Sequence, residues 1–109
     1  MPTNYKVLGQ SNPSATTATS LYTVPAATQA IVSTITVCNQ AATAATYRIA
    51  VRIAGATLAA SQYIAYDVSL PGYASDTLTL GVTLGATDII TVRSSTATMS
   101  FSAFGSELS

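Results

Sequence analysis

Apart from its many Ser and Thr hydroxyls, this 109-residue chain offers little to chemistry: four carboxylates (Asp67, Asp76, Asp88, Glu107), four cations (Lys6, Arg48, Arg52, Arg93), one thiol (Cys38) and six tyrosines. Histidine is absent, and with it the commonest general base and the commonest transition-metal ligand. A serine nucleophile would need a base and an orienting acid, and no G-x-S-x-G turn is present. The acids lie far apart in the chain, and Asp76 and Asp88 each follow turn residues, the ordinary place for a carboxylate at a strand end. No Asp-rich calcium loop occurs. The stretch GVTLGATD has two glycines without phosphate-loop spacing, so Gly81 and Gly85 read as relief for a hairpin or bulge. The expectation is a protein that is not an enzyme, with no catalytic residues, no cofactor and no metal. Cys38 has no second cysteine to pair with and no basic neighbour to lower its pKa, and reads as a small core residue.

What remains is contact chemistry. Tyr22, Tyr47 and Tyr66 fall at core or half-core positions of apolar runs, whereas Tyr5, Tyr63 and Tyr73 are candidates for exposed faces. Exposed aromatics anchor protein partners or stack on sugars. With no Trp and few acids or amides beside them, protein contact is the stronger reading. Together with Arg48 and Arg52, which punctuate one strand, Tyr5, Tyr63 and Tyr73 are the candidate interface residues.

The elements that must position these groups are strands. Runs of β-branched and aromatic residues are separated by Gly, Pro, Asn or Ala/Ser/Thr clusters, and the pattern predicts strands near 5–9, 21–24, 30–38, 46–54, 62–68, 75–82, 88–94 and 97–104. Eight short strands with few helix signals predict an all-β chain: an antiparallel β-sandwich, jelly-roll-like, over a single domain of residues 1–109. Residues 1–20 admit an extended N-terminal strand and arm; the polar stretch QSNPSATTATS reads equally as that arm's connector or as a surface loop.

Alternation assigns faces. In TYRIAVRIA, Tyr47, Ile49, Val51 and Ile53 share one face and Arg48, Ala50, Arg52 and Ala54 the other. In QYIAYDV the apolar set is Ile64, Tyr66 and Val68; in DTLTLGV it is Leu78, Leu80 and Val82; in ATMSFSAF it is Ala97, Met99, Phe101 and Ala103. A hairpin between the first two segments that keeps apolar faces together pairs Val51 with Ile64 and Ile49 with Tyr66. It also sets Arg48 opposite Asp67 as an ion pair and Arg52 opposite Tyr63 as a cation–π contact, and a charge at Val51 is expected to prevent folding. AIVSTITVC is apolar on both faces, with Ile31, Ile35 and Val37 opposed to Val32, Thr34 and Cys38, as in a strand covered on both sides.

Hydrophobic residues make up 49% of the chain and charged residues 7%, with no net charge. Ordinary soluble domains carry about a quarter charged residues. A chain so poor in charge lacks the repulsion that keeps copies apart, and its surface is expected to be covered by partners in a homo-oligomer; the alternative is a stable monomer with a hydroxyl-rich surface. Four scattered cations do not make a phosphate-binding patch, so nucleic acid is not an expected partner. Nor is a membrane: the most apolar long stretch, AATAATYRIAVRIAGATLAA, alternates with period two and contains two arginines. The opening MPTNYKVLGQ has no apolar run of the kind a secretory signal needs.

Three segments carry a resemblance: NYKVLGQSNPSATTATSLYTVPAATQAIVSTITVCNQ, the TYRIAVRI strand, and GVTLGATDIITVRSSTATMSFSAFGSE. Together they resemble the small β-sandwich virion structural proteins of tailed bacteriophages, including those of cyanobacteria. The resemblance spans nearly the whole chain, and its most recognisable parts, LYTVPA with the following VCN and the FSAFGSE ending, are not catalytic motifs. It implies a non-enzymatic part of the virion, assembled in the host cytoplasm, with capsid decoration or cement favoured. The implied partners are copies of itself, a trimer favoured because of local three-fold capsid sites, and other virion proteins such as the major capsid protein. The alternative is a tail, baseplate or fibre module that binds a host receptor or glycan.

Overall fold

A computed structural model describes residues 3–109 and contains eight strands: β1 (Thr3–Ser11), β2 (Thr19–Thr23), β3 (Gln29–Asn39), β4 (Ala45–Arg52), β5 (Tyr63–Leu70), β6 (Ser75–Leu84), β7 (Ile89–Ser94) and β8 (Met99–Leu108). All eight expected strands are present, and β8 runs four residues beyond its expected end at 104. The strands form two antiparallel four-stranded sheets, ordered β1-β8-β3-β6 and β2-β7-β4-β5. Nearly every pairing joins strands distant in sequence, and this order is that of an eight-stranded jelly roll. β1 pairs with β8 of its own chain, and the connector after it is anchored by buried Pro13 and by Asn12, whose Nδ2 donates to the Met99 carbonyl at 2.6 Å.

The core lies between the sheets and is made from alternate positions. Val32, Ile35 and Val37 of β3 meet Tyr47 and Ile49 of β4, Ile90 and Val92 of β7, and Met99, Phe101 and Ala103 of β8, all within 1% of full burial. Tyr47 and Phe101 pack edge to face across the sandwich, with ring centroids 6.1 Å apart. Leu78, Leu80 and Val82 face inward as their alternation predicts, while Ala97 and Ile53 fall outside the strands and are exposed. Burying polar side-chain atoms requires partners, and among the described residues each has one. The Tyr47 hydroxyl donates to Asp76 at 2.8 Å, and burial first, then that carboxylate, pushes the phenol's pKa well above its ordinary value. At one end of the sandwich the buried Asn39 amide donates to the carbonyls of Thr43, Leu70 and Pro71 and accepts from the Ala41 amide and the Thr98 hydroxyl, tying three loops together. At the other end, Asp88 accepts from the backbone amides of Ala54 and Gly85, each at 2.8 Å.

Register shifts interrupt five of the six strand pairings, and those in β3 and between β4 and β5 change the faces that alternation assigns. In β3 the register shifts between Val32 and Thr34 against both neighbours, so Ile31 faces out at 41% exposure although Ile35 and Val37 face in. The partner positions on β6 jump there from Val82 to Thr79 around Gly81, the glycine expected to relieve a bulge. Cys38 also faces out and is exposed, not a core residue, because the resumed alternation buries Val37 and Asn39 on either side of it. Only one face of β3 is covered within this chain.

The β4–β5 pairing starts in the expected register, with Ala45 opposite Leu70 and Tyr47 opposite Val68, and then departs from it. Asp67 adopts a left-handed backbone (φ 50), inserting a residue, so Ile49 pairs with Ala65 and not Tyr66, and a second shift that skips Ile64 pairs Ala50 with Tyr63. Val51 therefore has no partner in Ile64, and Ile64 and Tyr66, expected on the apolar face, are 48% and 57% exposed.

The side chains of Lys6, Tyr22 and Glu107 bind β1, β2 and β8 together. The largely buried Glu107 carboxylate accepts from the Tyr22 hydroxyl at 2.5 Å and pairs with Lys6 at 2.9 Å. These bonds, Tyr22 first and Lys6 second, hold its pKa below the ordinary 4.5, while burial and then Glu107 raise that of Tyr22. A depressed carboxylate pKa means stability that is complete above pH 4.5 and is lost as pH falls through the folded-state value. Acid denaturation followed by circular dichroism should therefore show a steeper fall in stability below pH 4.5 for the wild type than for Glu107→Gln; equal slopes would remove this contribution.

Candidate interaction faces

The two outer faces of the sandwich differ in chemistry, and strand register defines both. On the β1-β8-β3-β6 sheet, outward residues form rows across all four strands: Tyr5, Ser106, Ile31, Thr83; then Val7, Phe104, Thr34, Thr79; then Gln10, Ser102, Thr36, Thr77. Ser100, Cys38 and Ser75 follow in the same order. None of these positions holds Asp, Glu, Lys or Arg. Tyr5 is 85% exposed and Val7 49%, beside half-buried Phe104. The Asp76 carboxylate of this sheet belongs to the inner side, where it meets Tyr47, and Lys6 reaches Glu107.

On the other sheet, β4 and β7 place all three arginines outward: Arg48 directly opposite Arg93, and Arg52 opposite Ile89. Like charges in directly opposed positions repel, and Asp67 offsets this. Arg48 Nε donates to Asp67 Oδ1 at 2.6 Å and Nη2 to Oδ2 at 3.2 Å, the expected ion pair in bidentate form. The guanidinium lies 4.1 Å from the centroid of the Tyr66 ring. Arg48 first and Arg93 last lower the Asp67 pKa, and the Asp67 hydrogen bond raises that of Arg48. Tyr63 and Tyr66 meet at 84° with centroids 4.9 Å apart, forming a right-angled aromatic corner. With Leu58, Ala59 and Ala60 this corner lines an open groove of about 560 Å³.

The sequence-derived candidates thus separate. Arg48 and Tyr63 come together in the groove region, joined by Tyr66 and Asp67, which alternation places in the core and in the ion pair alone. Arg52 does not meet Tyr63: its Nε and Nη2 donate to the carbonyls of Ala56 and Gly55 at 2.7 and 3.0 Å, because the chain turns back after β4 and offers those carbonyls first. Tyr5 lies on the opposite sheet, and Tyr73, 77% exposed, sits in the turn between β5 and β6. The cation–π contact forms on Arg48 because the Asp67 insertion turns Tyr66 outward.

Among the described residues no group of three His, Cys, Asp or Glu side chains converges to hold a metal, and no helix is long and apolar enough to cross a membrane. No family model matches this chain, and no curated protein matches it significantly.

Proposed function

We propose that this chain is a non-enzymatic structural protein of a tailed-phage particle, a decoration or cement protein that stabilises the capsid shell through protein–protein contacts. One observation carries the reading: the rows of Thr, Ser, Val, Ile, Tyr and Phe on the outer β1-β8-β3-β6 face, without a charged side chain among them. Desolvating charge is what makes a surface costly to cover, and this face has none to desolvate. Four strands about 4.8 Å apart and about 30 Å long make a patch of roughly 570 Å². A specific contact takes about 800 Å² from each partner, so the patch needs only a rim of loop residues to complete it. The phage setting rests on the resemblance of the sequence to virion proteins. Contacts made only in the assembled shell stabilise it by mass action, with no reaction required. Copies of this chain in a homo-oligomer, trimer favoured, and the major capsid protein are the partners in this reading.

The test is a charge placed on that face. Thr34→Lys/Thr36→Lys alters two adjacent outward rows and leaves the core untouched, so the variant should keep the wild-type circular dichroism spectrum. It should no longer cosediment with particles lacking the native protein. Particle occupancy equal to wild type would refute the assignment of this face.

A second reading is a tail, baseplate or fibre module that binds a receptor or glycan. The aromatic corner of Tyr63 and Tyr66 beside Asp67 favours it. Electron microscopy of the intact particle separates the two by position.

A further inference from the structure

We infer that the outer face of β4, β5 and β7 binds an acidic saccharide, a chain of pyranose rings bearing carboxylates, with one ring seated in the Tyr63–Tyr66 corner and an acid on Arg93. The inference rests on the ligand-binding reading above and names its ligand class. Three features of the face support it independently.

The first is charge. All three arginines of the chain project from this face, against the single outward aspartate Asp67. Asp67 is committed to Arg48 through both carboxylate oxygens. Among the described residues, half-buried Arg93 has neither an ion-pair nor a side-chain hydrogen-bond partner, although it stands directly opposite Arg48. An anion there would relieve the repulsion between the two guanidiniums.

The second is shape. Two aromatic rings at 84° provide a flat wall and a perpendicular one, with small Ala59 and Ala60 leaving the groove open. A pyranose has an apolar face of C–H groups that stacks on such a wall, while its equatorial hydroxyls reach tyrosine oxygens. The volume of about 560 Å³ falls in the range of small-ligand sites.

The third is preorganisation. Asp67 sits in the left-handed region, an uncommon conformation outside glycine, and that insertion turns Tyr66 outward, where its ring lies beneath the Arg48 guanidinium. Bulges that redirect side chains recur beside binding sites. Arg93 lies two strands from β5, about 10 Å, a span that linked sugar units bridge and a single small anion does not.

The experiment uses the isolated chain and NMR titration with trigalacturonate, maltotriose as the uncharged pyranose control, and triglutamate as an acidic peptide control. Trigalacturonate should shift the Tyr63, Tyr66 and Arg93 resonances at low ionic strength, and added salt should weaken the binding. Arg93→Gln, which removes an unpaired group, should lower the affinity about tenfold, and Tyr66→Ala should remove detectable binding while both variants stay folded. Binding of maltotriose alone would overturn the acidic specificity and leave the glycan reading intact. No binding of either sugar would overturn both. Equal binding of triglutamate would reduce the face to a charge patch and also refute the inference. Loss of particle association in Tyr66→Ala without any sugar binding would make the groove a protein contact instead.

Discussion

Ile49→Asp is expected to abolish folding. Ile49 is fully buried in the middle of β4, pairing with Val92 of β7 on one side and Ala65 of β5 on the other. No cation lies on the inner side of this sheet to meet a carboxylate, since Arg48, Arg52 and Arg93 all project outward. An unpaired ionised group in such a site costs several kcal/mol even after relaxation, and protonating it leaves an unsatisfied polar group in place of lost packing. Against a total stability of about 5–15 kcal/mol, that loss removes most or all of the folded population. Val51→Asp, where alternation alone expected the same outcome, should be milder. Val51 is half-buried and the register shift leaves it without a β5 partner, so a carboxylate there can reach water. Chemical denaturation of both variants checks the contrast; a cooperative unfolding transition for Ile49→Asp close to that of wild type would contradict the assignment of this core.

Gly105→Ala should destabilise the fold by more than about 3 kcal/mol, above the ordinary cost of overpacking. Gly105 lies in the central strand β8, opposite Val32 of β3 and Lys6 of β1. A Cβ added there would overlap the Ile31 carbonyl oxygen and stand 3.0 Å from its carbon. The obstacle is backbone on the strand that bulges at this point, and backbone held in a ladder on both sides cannot swing away as a side-chain tip does. The extra residue at Ser33 brings the β3 backbone over β8, and only a residue without a side chain fits beneath it. Gly81→Ala is the control: it is also a strand glycine, but nothing lies within 4 Å of its added Cβ, so its effect should be limited to backbone entropy and small. Equal denaturation midpoints for the two variants would show that close approach is not the reason for Gly105.

Hydrophobic alternation in LTLGV and MSFSA is local information, and the inward sets Leu78, Leu80, Val82 and Met99, Phe101, Ala103 follow from it. The bidentate Arg48–Asp67 pair was legible because the register holds from Ala45 up to the bulge that Asp67 itself helps to form. Beyond that residue parity counting fails. Ile64, Tyr66 and Val68 alternate correctly on paper, and nothing in the letters marks Asp67 as left-handed rather than extended. Tyr66 consequently moved from expected core to the groove, and Arg52 found turn carbonyls where an aromatic partner was expected. Cys38 was misplaced for the same reason, since one inserted residue at Ser33 exchanges the faces of everything after it.

The class of structure and the materials of its surface are written in the order of residues alone. Eight β-rich runs between turn residues leave no architecture but packed antiparallel sheets, and with 7% charged residues most of the surface has to be built from Ser, Thr and apolar side chains. How those few charges are distributed depends on which strands come to lie side by side. Long-range pairing of β1 with β8, β3 with β8 and β4 with β7 put every arginine on one outer face and left the other uncharged. That segregation depends on strand order and bulge position. Both are settled by packing between residues sixty or more positions apart in the β1–β8 and β3–β8 pairs, as with Ile35 against Ala103. A linear pattern with period two records the two faces of each strand, but not which strands will share them.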